Sequence, residues 1–114
     1  MDRYSSFEQL ARHEREDVDY CITIARRPSS TILILAPHGG AIESQTSEIA
    51  RTVAGDDFNL YLFEGIKPSG NYKALHITSH CFDEPRLLSL LLECDWSAPQ
   101  SSAHREELRV AAAR

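Results

Sequence analysis

Residues 31–37, with the sequence TILILAP, constrain the fold more than any other part of the chain. The run is apolar or β-branched until it ends at a proline. Continuous apolar runs of this length, bounded by turn residues, are typical of strands that are fully buried. VDYCITIA at 18–25 alternates as an edge or half-buried strand does, and NLYLFEG at 59–65 indicates a third strand. The first half of the chain therefore predicts a sheet.

Helical patterns alternate with these strands. Residues 4–14 carry apolar side chains at spacings of three and four. Residues 42–54 show a helical face made by Ile42, Thr46, Ile49, Ala50 and Val53. After a turn at 67–71, KALHITS at 73–79 has the pattern of a fourth strand. The alternation predicts an α/β domain with a mixed, partly parallel sheet flanked by helices.

The segment RLLSLLLEC, after Pro85, holds five leucines in nine residues. This density predicts a helix that is buried on most of its circumference. The composition changes after Asp95, and residues 96–114 show only a weak helical pattern. We therefore expect residues 1–95 to form part of a single domain, with 96–114 as a divergent tail that is weakly helical or disordered.

Bulk composition limits the classes of partner. A chain of 114 residues with 42% apolar and 25% charged residues is typical of one soluble globular domain. The sequence contains no apolar stretch of membrane-spanning length, and its N-terminus lacks the apolar core of a signal peptide. We therefore expect a cytoplasmic location. The net charge of -5 argues against nucleic acid or an anionic membrane as partner.

The three cysteines, Cys21, Cys81 and Cys94, are odd in number and have no CxxC spacing. This pattern argues against a disulfide framework and against a structural thiolate zinc site. Cys81 lies beside His80 and close to Asp83, which are the residue types of a thiol hydrolase. Catalytic cysteine and histidine usually come from distant parts of a chain, so this cysteine-dependent hydrolase is the less favoured interpretation.

The motif PHGGAIE at 37–43 places a histidine at the end of the buried strand. Two glycines allow a sharp turn, after which Glu43 begins the predicted helix and approaches His38. A histidine and a carboxylate at this edge can supply two of the three protein ligands of a catalytic zinc, with a second histidine as the third. His76 ends the predicted fourth strand, and His80 follows four residues later.

The same residues also have structural explanations. The glycine pair can serve only the turn, Glu43 can favour the helix dipole, and a strand histidine can be a core residue. A helix that starts after a glycine turn can also bind an anion. Spacing alone leaves these alternatives open.

Three motifs in order carry a family resemblance: APHGGAIESQTSEIAR at 36–51, YLFEG at 61–65 and LHITSHCFDEP at 75–85. The chain resembles the phage-type poly-γ-glutamate hydrolase family from about residue 4 to about residue 92. The family's fold is similar to that of the zinc carboxypeptidases. The resemblance implies a zinc-dependent hydrolase of poly-γ-glutamate, or of another γ-glutamyl or acidic amide. A phage-derived enzyme would leave the cytoplasm on lysis.

By this resemblance Zn²⁺ would be held by His38, Glu43 and one histidine of LHITSH. The position at a strand end favours His76 over His80, which remains the alternative ligand or a neighbour of the site. Glu64, at the end of the third strand, is a candidate for orienting a ligand histidine. Asp83 and Glu84 are better placed to serve the start of the leucine helix.

The family's later half, which should supply a general base and a substrate-binding arginine, has no visible match in this sequence. The fold is therefore expected to be incomplete, as a deliberate short form or through truncation or a frameshift. A leucine helix without its full cover would favour self-association. A non-catalytic metal- or polymer-binding remnant is the alternative to an active enzyme.

Overall fold

The computed structural model describes residues 2–95, so the predicted tail at 96–114 lies outside the described residues. The elements in chain order are α1 (Phe7–His13), β1 (Tyr20–Ala25), β2 (Leu33–Gly40), α2 (Thr46–Ala54), β3 (Asn59–Gly65), α3 (Asn71–Leu75) and α4 (Pro85–Asp95). A short 3₁₀ turn, Ser79–Cys81, precedes α4. Within the described range, no helix has the length and apolar character needed to cross a membrane.

The three strands form one mixed sheet in the order β1-β3-β2. β1 pairs with β3 antiparallel, and β2 pairs with β3 parallel. The central strand, β3, is buried along nearly its whole length, whereas Tyr20 is the sole buried residue of β1. The predicted α/β class, its partly parallel sheet and the half-buried first strand are confirmed.

Side-chain alternation along β3 divides the core between the two faces of the sheet. Leu60 and Leu62 join a small cluster with Ala50 and Ala54 of α2. Tyr61 and Phe63 instead join the larger cluster, whose other members come mainly from α1, α3, α4 and the segments between them. Large members of this cluster include Phe7, Leu10, Tyr20, Leu75, Ile77, Phe82, Leu87 and Leu90. Helices therefore flank both faces, as predicted.

The predicted face of α2 is confirmed only in part, because Ile42, Thr46 and Ala50 are buried whereas two of its large side chains are not. Ile49 and Val53 are each 52% exposed. The helix instead buries Thr46, Ser47, Ala50 and Ala54. We attribute the difference to close packing, because small side chains let the helix backbone approach the sheet, whereas Ile49 would hold it away. The helix also begins at Thr46 rather than at residue 42, since residues 41–45 form a turn in which Gln45 has a φ of 74°.

The predicted fourth strand at 73–79 is also wrong. Residues 71–75 form α3, and residues 76–78 have no regular secondary structure and do not pair with the described sheet. The Asn71 side chain closes the preceding turn by accepting from Lys67 N and donating to Lys67 O, each at 2.9 Å. This turn and the good helix propensity of the Lys-Ala-Leu sequence favour a helix over the strand that the weak apolar-polar alternation of 73–79 predicted.

The leucine helix is buried on one stripe only. Leu87, Leu90 and Cys94 are buried, whereas Leu88 is 47% and Leu92 is 55% exposed. The prediction that α4 is buried on most of its circumference is therefore wrong for the described part of the chain, since the sheet covers a single side of the helix. Self-association through the exposed leucines stays a prediction.

The start of α4 is fixed by Glu84, whose carboxylate is buried. It accepts hydrogen bonds from Tyr61 OH at 2.7 Å, Arg86 Nε at 2.9 Å and Leu87 N at 3.3 Å. Burial, and then the bond to Glu84, raise the pKa of the Tyr61 hydroxyl well above its ordinary value. Glu84 thus serves the helix start as predicted, while Asp83 accepts from Phe7 N, the first residue of α1.

Replacing Glu84 by alanine should lower the free energy of unfolding by about 1–3 kcal/mol, because the buried Tyr61 hydroxyl loses its acceptor. Urea unfolding of E84A, Y61F and the double variant measures this. We expect the double variant to be clearly less destabilised than the sum of the two single variants. Strict additivity would contradict a direct Tyr61–Glu84 interaction.

Candidate metal centre

The site begins at an irregularity in β2. The parallel register with β3 shifts between Ala36 and Gly39, so Pro37 and His38 fall outside the regular pairing. Proline has no N–H for the ladder, which favours a bulge at this position. Bulges redirect side chains, and His38 here is only 4% exposed.

The turn after β2 brings Glu43 back to His38. The His38 carbonyl accepts from Glu43 N at 3.1 Å and from Thr46 Oγ1 at 2.8 Å. As a result, His38 Nδ1 and Glu43 Oε1 lie 3.2 Å apart. The predicted approach of these two residues is confirmed, although Glu43 lies in the turn rather than on the helix.

The glycine pair permits this turn by allowing close backbone contact. A Cβ on Gly39 would lie 2.5 Å from Ser47 Oγ. A Cβ on Gly40 would lie 2.6 Å from the Gly65 carbonyl oxygen, and Gly40 also has a φ of +61°. Both the close approach and the left-handed conformation therefore require glycine at position 40.

A strained left-handed residue alone costs about 1–3 kcal/mol. Gly40→Ala should lower the free energy of unfolding by more than this, because the new Cβ would also collide with the Gly65 carbonyl. Gly70→Ala is the matched control, because Gly70 has a φ of +73° but a Cβ at that position would meet no neighbour within 4 Å. Thermal or urea unfolding compares the two variants. Equal losses would show that contact with Gly65 contributes nothing.

His76 follows α3 directly and reaches the same place. Its ring stacks on the His38 ring, with centroids 4.1 Å apart and an interplanar angle of 21°. The Tyr72 ring also stacks with His76, at 4.5 Å. His38, Glu43 and His76 each offer one ligand atom, and these atoms lie within 4.8 Å of one another. The structure thus brings together the three residues selected from the sequence.

Hydrogen bonds indicate which histidine nitrogens are available. His38 Nε2 lies 2.7 Å from the Ile77 carbonyl, which can only accept, so Nε2 carries the proton and Nδ1 has the lone pair. His76 Nδ1 lies 2.7 Å from Asp2 Oδ1. Burial alone would raise the pKa of Asp2, but hydrogen bonds from His76 and Thr78 hold it below its usual value. The ionised carboxylate only accepts, which leaves the lone pair of neutral His76 on Nε2.

The donor set fits a zinc ion. The atoms His38 Nδ1 and Glu43 Oε1 are both buried, lie 3.2 Å apart and have no hydrogen-bond partner. With the His38 proton on Nε2, two lone pairs face each other, and a cation would stabilise that arrangement. Their 3.2 Å separation matches the roughly 3.3 Å between two ligands bound tetrahedrally to zinc.

The other residues that the sequence made candidates lie outside this cluster. Glu64 pairs with Arg51 Nη2 at 3.4 Å and lies 3.8 Å from Cys21 Sγ. His80 and Cys81 are exposed on the 3₁₀ turn. Within residues 2–95, the cluster of His38, Glu43 and His76 is the arrangement that could hold a metal.

Three residues that shape the site are not evident from the sequence. Asp2 lies 74 positions from His76, so no local pattern links them. Tyr72 borders the predicted turn, and its contact with His76 depends on α3, which the sequence pattern does not predict. Thr46 falls on the predicted apolar helix face, although a hydroxyl close to a turn is a recognisable signal for backbone hydrogen bonding.

Comparison with known sequences shows that residues 4–98 match the family model described as poly-gamma-glutamate hydrolase. The chain is 46% identical over 89 residues to UPF0714 protein YndL of Bacillus subtilis (strain 168), covering 78% of this chain and 34% of the relative. SPbeta prophage-derived UPF0714 protein YoqZ of the same strain is 46% identical over 94 residues. This match covers 82% of this chain and 33% of the relative. The chain thus spans about a third of the length of these relatives.

Two solved structures are similar. A bacteriophage poly-gamma-glutamate hydrolase has a TM-score of 0.75 and 38% identity, covering 82% of this chain and 44% of that one. A zinc-free apo form of YndL has a TM-score of 0.72 and 46% identity. The match covers 79% of this chain and 43% of that one. The described fold therefore corresponds to less than half of each neighbour.

Proposed function

Because the chain belongs to the poly-γ-glutamate hydrolase family, we propose that it binds Zn²⁺ and takes part in hydrolysis of γ-glutamyl amide bonds. The observation that carries the proposal is the buried pair formed by His38 Nδ1 and Glu43 Oε1, which have no hydrogen-bond partner. Unsatisfied buried polar atoms are uncommon and unfavourable, so two at ligand spacing favour a metal centre. The zinc-free description of one similar structure also makes zinc the metal to test.

Each ligand would have a defined support. The Ile77 carbonyl orients His38, Asp2 orients His76, and the turn closed by Thr46 holds Glu43. The chemistry that zinc supplies in hydrolases is polarisation of the substrate carbonyl and activation of water at neutral pH. The stacked rings of Tyr72 and His76 would form an aromatic wall beside the substrate.

Three carboxylates that are candidates for a general base have other partners in the structure. Glu64 pairs with Arg51, Asp83 accepts from Phe7 N, and Glu84 is buried against Tyr61. Among the described residues, therefore, none of these three carboxylates is without a partner. This observation favours a second candidate function, a metal- or polymer-binding form with little turnover.

A polyanionic substrate would depend on local cations, since the chain carries a net charge of -5. Arg26 pairs with Glu93, Arg27 lies near Asp56, and Lys67 pairs with Glu14. Lys73 is exposed on α3, next to Tyr72. We therefore infer that Lys73 is the best placed of these four cations to meet the polymer.

Zinc binding is the first test. Wild-type protein should bind one Zn²⁺, and H38A, E43Q and H76A should each weaken binding by more than about 100-fold, beyond the loss typical of supporting residues. Competition with a chromophoric chelator measures the affinity. His13→Ala, an exposed histidine on α1, is the matched control and should bind as wild type does. Equal zinc binding by all variants would overturn the site. A further variant, H80A, tests the alternative ligand: loss of zinc binding in H80A but not in H76A would make His80 the third ligand.

Hydrolysis is the second test. Zinc-loaded protein should release glutamate oligomers from poly-γ-glutamate, and the release should stop on chelation and in E43Q. Chromatography of the products measures this. Zinc uptake with polymer binding but no release would favour the second candidate function. Release that persists without zinc would contradict a metal-dependent reaction.

A further inference from the structure

We propose that Asp2 is a positioning residue of the metal centre, which holds His76 in the tautomer that leaves Nε2 free to bind the metal. Asp2 precedes residues 4–98, which match the family model, so this contact is made from outside the matched segment. The inference rests on the proposed zinc role of His76, but its effect on the tautomer can be measured without metal.

Both oxygens of the Asp2 carboxylate contact the segment 76–78. Oδ1 accepts from His76 Nδ1 at 2.7 Å. Oδ2 accepts from Thr78 N at 2.7 Å and from Thr78 Oγ1 at 3.0 Å. The side chains of Asp2 and His76 are only 21% and 14% exposed. An exposed ion pair would be worth little, but three hydrogen bonds to one partly buried carboxylate fix its orientation.

The same contacts also reach His38. Ile77 lies between His76 and Thr78, and its carbonyl accepts from His38 Nε2. By holding the residues on either side of Ile77, Asp2 also holds the acceptor that selects the His38 tautomer. One carboxylate therefore supports both histidines, directly at His76 and through the backbone at His38. Partners of this kind keep ligand rings in place and make them better ligands.

Asp2→Asn is the sharpest test because it preserves shape. Thr78 N donates and needs an oxygen, so the asparagine amide oxygen must face Thr78 and its NH₂ group must face His76 Nδ1. His76 would then accept at Nδ1 and carry its proton on Nε2, the atom required for the metal. We expect zinc affinity to fall by about 10- to 100-fold.

Two properties of each variant are measured. Competition with a chelator gives the zinc affinity, and the ¹⁵N chemical shifts of the His76 ring in the metal-free protein give its tautomer. D2N should show the Nε2-protonated tautomer. D2A should lose the preference for Nδ1 protonation and bind zinc with a similar reduction. Thr78→Val is the control, because it removes one hydroxyl contact and keeps the bonds to His76 Nδ1 and Thr78 N. This variant should retain the wild-type tautomer and affinity.

Wild-type zinc affinity in D2N, with His76 still protonated on Nδ1, would overturn the inference. A wild-type protein that binds no zinc would instead remove the proposed function, while the tautomer change in metal-free D2N would still decide the role of Asp2. A loss of affinity in D2N without a tautomer change would also contradict the positioning role, since it would indicate a general structural effect.

Discussion

The structure depends on an interruption in the parallel pairing of β2 with β3. Pairing runs regularly from Leu33 to Ala36 and resumes at Gly39 and Gly40 opposite the end of β3. Two separate requirements meet here: the proline cannot donate to the ladder, and the glycines must lie against Ser47 and Gly65. His38 lies at this interruption, outside the regular strand pairing, and its side chain is buried in the protein. The placement of the His38 side chain therefore follows from the backbone of β2 and does not require a bound ligand.

The treatment of buried polar atoms distinguishes the site from the rest of the core. Burial would raise the pKa of Glu14, but hydrogen bonds from Lys67 and Tyr4 outweigh it and lower the pKa below its usual value. Glu84 is likewise surrounded by donors. At the cluster, by contrast, Glu43 Oε1 and His38 Nδ1 remain unsatisfied. Because the same fold satisfies the buried carboxylates of Glu14 and Glu84, the two unpaired atoms stand out as candidates for a metal-binding role.

Strong periodicity and special residues make part of this structure predictable. The continuous run in β2 and the sequence PHGGAIE predict the strand, the turn and the approach of Glu43 to His38. The helix α3 escapes prediction because a five-residue helix has too little periodicity to compete with an apparent alternation. The exposure of Ile49 and Val53 on α2 escapes prediction because close packing against the sheet selects small side chains. The contact of Asp2 with His76 is purely tertiary, so no spacing rule could supply it.

The segment 76–78 links the protein core to the candidate metal centre. Its middle residue, Ile77, is 1% exposed and fixes the segment to the large core cluster. Its backbone and flanking side chains meanwhile contact His38 and Asp2. Core packing and ligand orientation thus act through the same three residues. These contacts would lower the entropy cost of ordering the proposed ligands when a metal binds. The mistaken strand prediction and the candidate site therefore share a cause. The Ile77 side chain enters the core, while the His76 side chain joins the candidate metal cluster and Thr78 contacts Asp2.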